Sequence, residues 1–355
     1  MPKKILVINT GSTSTKVGVF TDRQALFRET AAHSPEDIAG LHGYDEWRRF
    51  HHDAVNHIVA RHPGSVTGLD LVVSRGGLTR PIEGGAFAVS DAMIRDLRAG
   101  TYGWHPCNTG PETARRIAGD YGIPAMIYDA PVADELGPLA RISGLKGIER
   151  RAAFHVLNQK SAAGRAARAL GIPYRSGRFV VAHLGGGITV GAHVEGRIVD
   201  GTHGLGEGPF TPRRSGALPL QGVLDLCFSG RYSRDELDRL LFSRGGVFSY
   251  LGTHDIREVE ARAENGDDAA RLILRAMGYQ VGKAICAMAA VMAGAVDAVV
   301  VTGGLAGARS VMDEILFRVR FLGPVFCYPG EDELESLAAG GMNVLSGVEE
   351  MKAYE

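Results

Sequence analysis

Ile5-Leu6-Val7-Ile8-Asn9-Thr10-Gly11-Ser12-Thr13-Ser14-Thr15-Lys16-Val17-Gly18-Val19-Phe20 is the stretch whose reading decides the fold. Ile5 to Asn9 is an apolar run and reads as a buried strand, Gly11 to Thr15 as a tight polar turn, and Lys16 to Phe20 as the returning strand. Two strands joined so closely run antiparallel. Ala25 to Thr30 supplies a third. In a nucleotide-binding βαβ unit the glycine loop would open a helix instead. The chain has no Gly-x-x-x-x-Gly-Lys-Ser/Thr run and no Gly-x-Gly-x-x-Gly run, which argues against the P-loop and dinucleotide-binding classes.

The same opening recurs. Phe179 to His183 is a strand, Gly185-Gly186-Gly187 a turn, Ile188 to His193 the return, and Arg197 to Asp200 a third strand. Two such openings, each followed by α/β segments, predict two similar domains. A length of 355 residues agrees, being too long for one ordinary core. Between the openings, Leu69 to Ser74 reads as a strand, Asp91 to Arg98 as a helix, and Ala125 to Tyr128 as a strand ending at Asp129. Glu149 to Leu170 reads as a long amphipathic helix. The expected first domain is 1–151 plus a helix from Leu334 that crosses back (334–355), and the second is 152–333.

Within the second half, Asp267 to Gly294 carries Ile273, Met277, Val281, Ile285 and Met288 at the spacing of a buried helical stripe. Gly278 and Gly282 on that helix allow close backbone approach, either to a neighbouring helix or across a dimer. Ala298 to Thr302 and Val325 to Tyr328 read as further strands, the first running into Gly303-Gly304.

Composition bounds the function classes. Hydrophobic residues at 45% and charged residues at 22% are those of an ordinary globular protein. A formal net charge of -1 provides no overall field toward nucleic acid or an anionic membrane, so any anion needs a local site. The 48 glycines, roughly twice average usage, cluster in short loops, where backbone can approach a ligand closely. Cys107, Cys227, Cys286 and Cys327 are scattered without metal-like spacing and fit a reducing compartment. Ala284 to Val296 is too short to span a bilayer, and the opening lacks a signal-peptide pattern. A cytoplasmic protein is expected.

Turns rich in Ser, Thr and Gly present N–H groups and hydroxyls suited to polyphosphate oxygens, which makes Ser12, Thr13 and Lys16 candidates on the phosphate side. The motifs then become specific. Val7 to Lys16 resembles the opening signature of the acetate kinase and butyrate kinase family. His183-Leu184-Gly185-Gly186-Gly187-Ile188-Thr189-Val190-Gly191 resembles its second signature. Ser74-Arg75-Gly76-Gly77, Phe154 to Lys160, Gly206 to Pro212, Arg213-Arg214-Ser215-Gly216, Thr302-Gly303-Gly304 and Tyr328 to Glu333 follow in family order, closest to the butyrate kinase branch.

The resemblance implies two duplicated actin-like (ribonuclease H-like) α/β domains, with ATP in the interdomain cleft. It implies transfer of the ATP γ-phosphate to a short-chain fatty acid to give an acyl phosphate. By the same resemblance Arg75 and Arg214 are clamps, His155 a donor to the phosphoryl group, and Asn9, Asp129 and Glu333 the Mg²⁺ side. Arg80 is the alternative to Arg75, and Arg213 to Arg214; Glu331, Asp332 and Glu333 share one ambiguous register. His183 and Gly185 to Gly187 would border the phosphates. Gly303, Gly304 and Leu305 would line the adenosine side, with Asp255 and Arg257 as further nucleotide contacts.

Acetate kinases typically read His-Arg-Val-Val-His-Gly-Gly at the first arginine, whereas here Arg75 runs directly into Gly76-Gly77. The missing valine predicts room for a longer acyl tail, worth about 0.8 kcal/mol per buried methylene. Butyrate or isobutyrate is therefore expected ahead of acetate or propionate, in a homodimer or higher homo-oligomer without nucleic-acid or membrane partners. A sugar kinase, with Asp129 as general base, and an actin-like ATPase are the alternatives.

Overall fold

The computed structural model describes residues 2–22 and 24–355. The chain divides into two compact units, Met1–Asp134 with Asp332–Glu355, and Glu135–Glu331. The segment 135–151 thus goes with the second unit, seventeen residues ahead of the boundary expected from sequence. Its anchors explain why. Glu135 pairs with Lys160 at 2.7 Å and accepts from Ile198 N, Gly137 N donates to Val199 O, and Arg150 pairs with both Asp200 and Glu207 at 2.9 Å.

The first unit holds β1 (Lys4–Thr10), β2 (Ser14–Thr21), β3 (Gln24–Ala32), β4 (Leu71–Ser74), β5 (Ala86–Ala88) and β6 (Ala125–Tyr128), in the order β3-β2-β1-β4-β6-β5. β1, β2 and β3 form an antiparallel meander, β4 and β6 add in parallel beside β1, and β5 closes the edge antiparallel. Every residue of β1 from Ile5 to Thr10 is buried, as a central strand covered on both faces requires. Leu6 and Ile8 pack with Val55 and Ile58 of the helix Tyr44–Ala60 and with Ala114 and Ile117 of the helix Gly110–Tyr121. Ile5 and Val73 point the other way, against Gly341 of the helix Glu333–Leu345.

The second unit holds β7 (Arg178–Leu184), β8 (Ile188–Val194), β9 (Arg197–Gly201), β10 (Ala298–Gly303) and β11 (Val325–Pro329), in the order β11-β10-β7-β8-β9. The plan repeats: an antiparallel meander, β7 to β9, with β10 and β11 added in parallel beside its first strand. Both sheets are mixed and flanked by helices, which is the duplicated α/β architecture expected from the two hairpins. Among the described residues no helix is long and apolar enough to cross a membrane.

Two elements depart from their expected form. The helix expected over 149–170 spans Val156–Leu170 only. Residues 150–155 ahead of it are irregular, with Arg150 tied to β9 and Phe154 buried. His155 therefore sits at the helix N-terminus (φ -83°, ψ 64°) and not on an apolar helical face. The long helix Asp268–Val291 buries Leu274, Met277, Val281 and Ile285 completely, whereas Ile273 is half-buried. Gly278 meets a partner within its own unit: a Cβ there would lie 2.7 Å from Val311 O and 2.8 Å from Glu314 Cβ on the helix Arg309–Val319. Gly278→Ala is expected to force these helices apart and lower stability by about 1–3 kcal/mol, despite alanine's better helix propensity. The urea midpoint measures it, and an unchanged or raised midpoint would contradict the close packing.

Candidate active site

Register brings the first group of candidates to one end of the first sheet. Ile8 pairs with Ser74 and Ser74 with Ile127 across the parallel neighbours β1, β4 and β6. Asn9 and Arg75 are therefore level at the carboxyl ends of adjacent strands, about 4.8 Å apart in the sheet. Asp129 follows one residue past Tyr128. The carboxyl ends of parallel strands are where open α/β sheets bind ligands.

Glu333, the first residue of its helix and 6% exposed, gathers this end of the unit. Its Oε2 accepts from Asn9 Nδ2 at 2.7 Å and from Lys16 Nζ at 2.9 Å, and its Oε1 lies 3.1 Å from Arg75 Nη1. Glu331, by contrast, lies in the second unit beside His183, and Asp332 precedes the helix. Arg75 is the arginine at this end, while Arg80 stacks its guanidinium 4.5 Å over the Tyr354 ring. Asp129 is buried at φ 46°, a conformation that Asp tolerates better than most residues, and its Oδ1 accepts from Gly85 N at 2.9 Å.

Gly76 and Gly77 are spoken for by packing. A Cβ at Gly77 would stand 2.7 Å from Asn108 Cα and 2.9 Å from Leu97 Cδ2. The volume that a valine would take is thus filled by neighbours, and the expected vacated wall beside Arg75 is absent at this residue.

The turn between β1 and β2 is held from behind. Gly11 N donates to Ser14 O at 2.9 Å, His33 N donates to Thr13 O at 2.9 Å, and His51 Nε2 lies 3.1 Å from Gly11 O. Ser12 is half-buried and Thr13 exposed. His51 is fully buried, and burial depresses its pKa to about 4, so it stays neutral with Nε2–H on Gly11 O and Nδ1 accepting from the Thr109 hydroxyl at 2.6 Å.

The second group lies around the turn between β7 and β8. His183, Thr302 and Tyr328 are level across β7, β10 and β11, and Gly303 and Gly330 exchange backbone hydrogen bonds just beyond. His155 Nδ1 is 2.9 Å from Thr189 Oγ1, and its ring stacks on His183 with centroids 3.9 Å apart. His183 is 1% exposed; its Nε2 is 3.2 Å from Glu331 Oε1 without hydrogen-bond alignment. Arg214 Nη1 donates to Gly204 O at 2.8 Å, and a Cβ at Gly187 would come within 2.7 Å of that same nitrogen and 3.2 Å of His155 Cε1. Only glycine at 187 lets the guanidinium and the imidazole close on the turn together. Burial lowers the Arg214 pKa, but a guanidinium remains protonated.

Thr211 pins this arrangement: its hydroxyl donates to Gly186 O at 3.0 Å and accepts from Arg214 N at 3.0 Å. Arg213 turns away toward His254. Side chains at Gly186 or Gly304 would meet nothing within 4 Å, so both backbones border open space, while Leu305 packs partly on the core. Asp255 caps the helix Ile256–Glu264, accepting from Arg257 N at 3.0 Å, and the Arg257 side chain is 92% exposed. Their contacts are those of a helix end on the surface. Thr189, Gly204 and Thr211 are the site residues to which the sequence reading gives no role; the Thr-x-x-Arg hydroxyl-to-backbone turn was the available signal for Thr211.

A three-stranded antiparallel meander extended by parallel strands, twice in one chain, defines the duplicated α/β fold of actin-like ATPases and sugar kinases. The ROK hexokinase of Thermus thermophilus shares it with a TM-score of 0.52 at 15% identity, over 98% of this chain and 100% of that one. The family is narrower: the acetokinase family model matches residues 141–333, more than half of the chain, and the chain belongs to that family of ATP-dependent carboxylate kinases. The acetate kinase of Porphyromonas gingivalis superposes with a TM-score of 0.78 at 20% identity, covering 97% of this chain and 100% of that one. The propionate kinase of Francisella tularensis subsp. tularensis gives 0.73 at 18% identity, over 95% and 98%. The matched stretch contains His155, His183, Arg214 and the glycine turns; Asn9, Lys16, Arg75 and Asp129 lie outside it.

His51 makes the first turn pH-sensitive. Its folded pKa lies below the value of 6.5 for a free histidine, so the unfolded chain binds the extra proton between about pH 6.5 and 4. Stability is expected to fall on acidification through that window by about 1 kcal/mol per pH unit from this group. Urea unfolding at several pH values, with and without His51→Gln, checks it: an equal slope in both proteins would mean that His51 is not the cause.

Proposed function

We propose that this chain transfers the γ-phosphate of ATP reversibly to the carboxylate of a short-chain fatty acid, with butyrate or isobutyrate as the preferred acid. The observation that carries the reading is the closing of Arg214 and His155 on the Gly185–Gly187 turn, in a chain of the acetokinase family. A carboxylic acid is already ionised at neutral pH, so its oxygen attacks without a general base. The obstacle is bringing an anion toward a polyanion and stabilising the charge spread over the transferring group. Fixed cations and aimed donors meet that need.

Arg75 binds the acid in this reading, since a guanidinium takes a carboxylate through two parallel N–H donors. Its present partner is the Glu333 carboxylate, met by one nitrogen, Nη1, at 3.1 Å from Oε1. Arg214 and His155 donate to the phosphoryl oxygens, and the open backbones at Gly186 and Gly304 accommodate the nucleotide. Asp255 and Arg257, as surface residues of a helix end, contribute at most to its outer edge.

Mg²⁺ favours oxygen ligands, one or two of them carboxylates, with the rest from waters and phosphates. Asp129 and the Asn9 amide oxygen are oxygen donors at strand ends that would suit such an ion, whereas both Glu333 oxygens are taken up by Asn9, Lys16 and Arg75, so Glu333 would reach it through water. When bound, the ion neutralises charge on the β- and γ-phosphates. The preference for a four-carbon acid is supported by the ordered motif run of the butyrate kinase branch and not by a vacated pocket at Gly77, where Asn108 fills the space.

Hydroxylamine trapping of acyl phosphate from acetate, propionate, butyrate, isobutyrate and valerate, with ATP and Mg²⁺, is expected to give the highest kcat/KM with a four-carbon acid. Product with none of them would sink the carboxylate kinase reading for this chain, and a strong acetate preference would sink the four-carbon assignment. Arg214→Ala is expected to lower kcat at least ~100-fold, the usual effect of losing a transition-state donor. Near-normal turnover would remove Arg214 from the chemistry.

A further inference from the structure

Behind His155 runs an unbroken line of buried polar side chains. Tyr174 Oη lies 2.8 Å from His193 Nδ1, His193 Nε2 lies 3.0 Å from Gln159 Oε1, Gln159 Nε2 lies 2.8 Å from Thr189 Oγ1, and Thr189 Oγ1 lies 2.9 Å from His155 Nδ1. Gln159, Thr189 and His193 are 0% exposed. Each buried donor and acceptor is matched, as a low-dielectric interior demands.

We propose that Tyr174, His193, Gln159 and Thr189 form a one-directional hydrogen-bond relay that holds His155 in its Nε2–H tautomer, which makes them positioning residues for the phosphoryl donor. The direction follows link by link. The Gln159 amide places its oxygen on His193 and its NH₂ on Thr189. His193 must then carry its proton on Nε2, leaving Nδ1 to accept from the Tyr174 hydroxyl. Thr189 Oγ1 receives the amide N–H, and its own hydroxyl proton turns to His155 Nδ1. His155 Nδ1 is thereby an acceptor, and the ring proton resides on Nε2.

The opposite direction would replace two O–H···N bonds at the ends by two N–H···O bonds. At the Tyr174 end a phenol is the stronger acid and an imidazole the stronger base, so O–H···N is the favoured pairing there, and the Gln159 amide carries that direction on to Thr189 and His155. A charged His193 would have two N–H donors and break the relay. Burial, followed by the nearby Lys160 charge, pushes the His193 pKa down to about 3 and keeps it neutral.

The tautomer itself is independent of the function. Its effect on turnover rests on the reading above, in which His155 donates to the phosphoryl group. Long-range ¹H–¹⁵N spectra of the full chain at neutral pH are expected to show His155 protonated on Nε2. Protonation on Nδ1 would overturn the relay. In Gln159→Leu the fixed tautomer should be lost and kcat should fall about 10–100-fold, the usual effect of removing an orienting partner, with KM for ATP and acid changed less than about threefold. Retention of both the Nε2–H signature and kcat in a folded Gln159→Leu would overturn it equally.

Tyr174→Phe removes one hydroxyl from the half-exposed end of the line and serves where Gln159→Leu does not fold. It is expected to loosen the tautomer in the same sense by a smaller amount, and an unmoved His155 spectrum counts against the relay. If His155→Ala turns over normally while the wild-type ring is Nε2–H, the catalytic role of His155 falls and the relay stands.

Discussion

One buried carboxylate organises the first unit. Glu333 lies at the start of a helix near the end of the chain, yet its partners are Asn9, Lys16 and Arg75. Taking a carboxylate out of water costs several kcal/mol unless its lone pairs are satisfied, and here two cations and an amide supply the compensation. The chain return that brings Asp332–Glu355 into the first unit is therefore coupled to the turn after β1 and to the arginine after β4. The Arg75 guanidinium is held at this end of the sheet by its pair with Glu333. That pairing keeps the arginine in place without leaving it unpartnered.

The second unit has the same strand plan but reaches a different chemistry at the equivalent hairpin. The first turn carries Ser12, Thr13 and Ser14 and is braced from behind by the neutral ring of His51. The second turn is bare backbone, Gly185 to Gly187, and Arg214 and His155 come up against it because no side chain obstructs them. Thr211 ties the backbone of Arg214 to the turn, and the guanidinium is anchored separately on Gly204 O. Duplication thus supplies one scaffold twice. Side-chain size at a single turn decides whether hydroxyls or cations occupy its mouth.

Much of this was legible in the sequence because it depends on short-range patterns. The hairpins at Ile5–Phe20 and Phe179–His193 are contiguous apolar strands with turn residues between them, and both form as read. What was missed depends on partners far away in the chain. The expected helix over 149–155 gives way to irregular backbone because Arg150 reaches Asp200 and Glu207, fifty or more residues on. The helical stripe runs through Ala270 and Leu274 and leaves Ile273 half-buried, because the facing helix, and not periodicity, selects the buried side. The missing valine after Arg75 predicted room, yet Asn108 and Leu97 stand against Gly77. Asp255 caps the helix that contains Arg257, a local role that the sequence reading did not assign.

The residues behind His155 show a further limit and a physical rationale. Gln159 is one turn along the helix from His155, but Thr189, His193 and Tyr174 come from β8 and the loop before β7, so no spacing rule unites them. An acidic residue in place of Gln159 would also have satisfied His193. It would have accepted from Thr189 as well, turning the hydroxyl away from His155 and shifting the ring proton to Nδ1. It would also have added a buried negative charge to a line of side chains that is otherwise neutral. A neutral amide accepts on one side and donates on the other, so it passes hydrogen-bond direction along the line without adding charge. That property, more than size or polarity, is what the position requires.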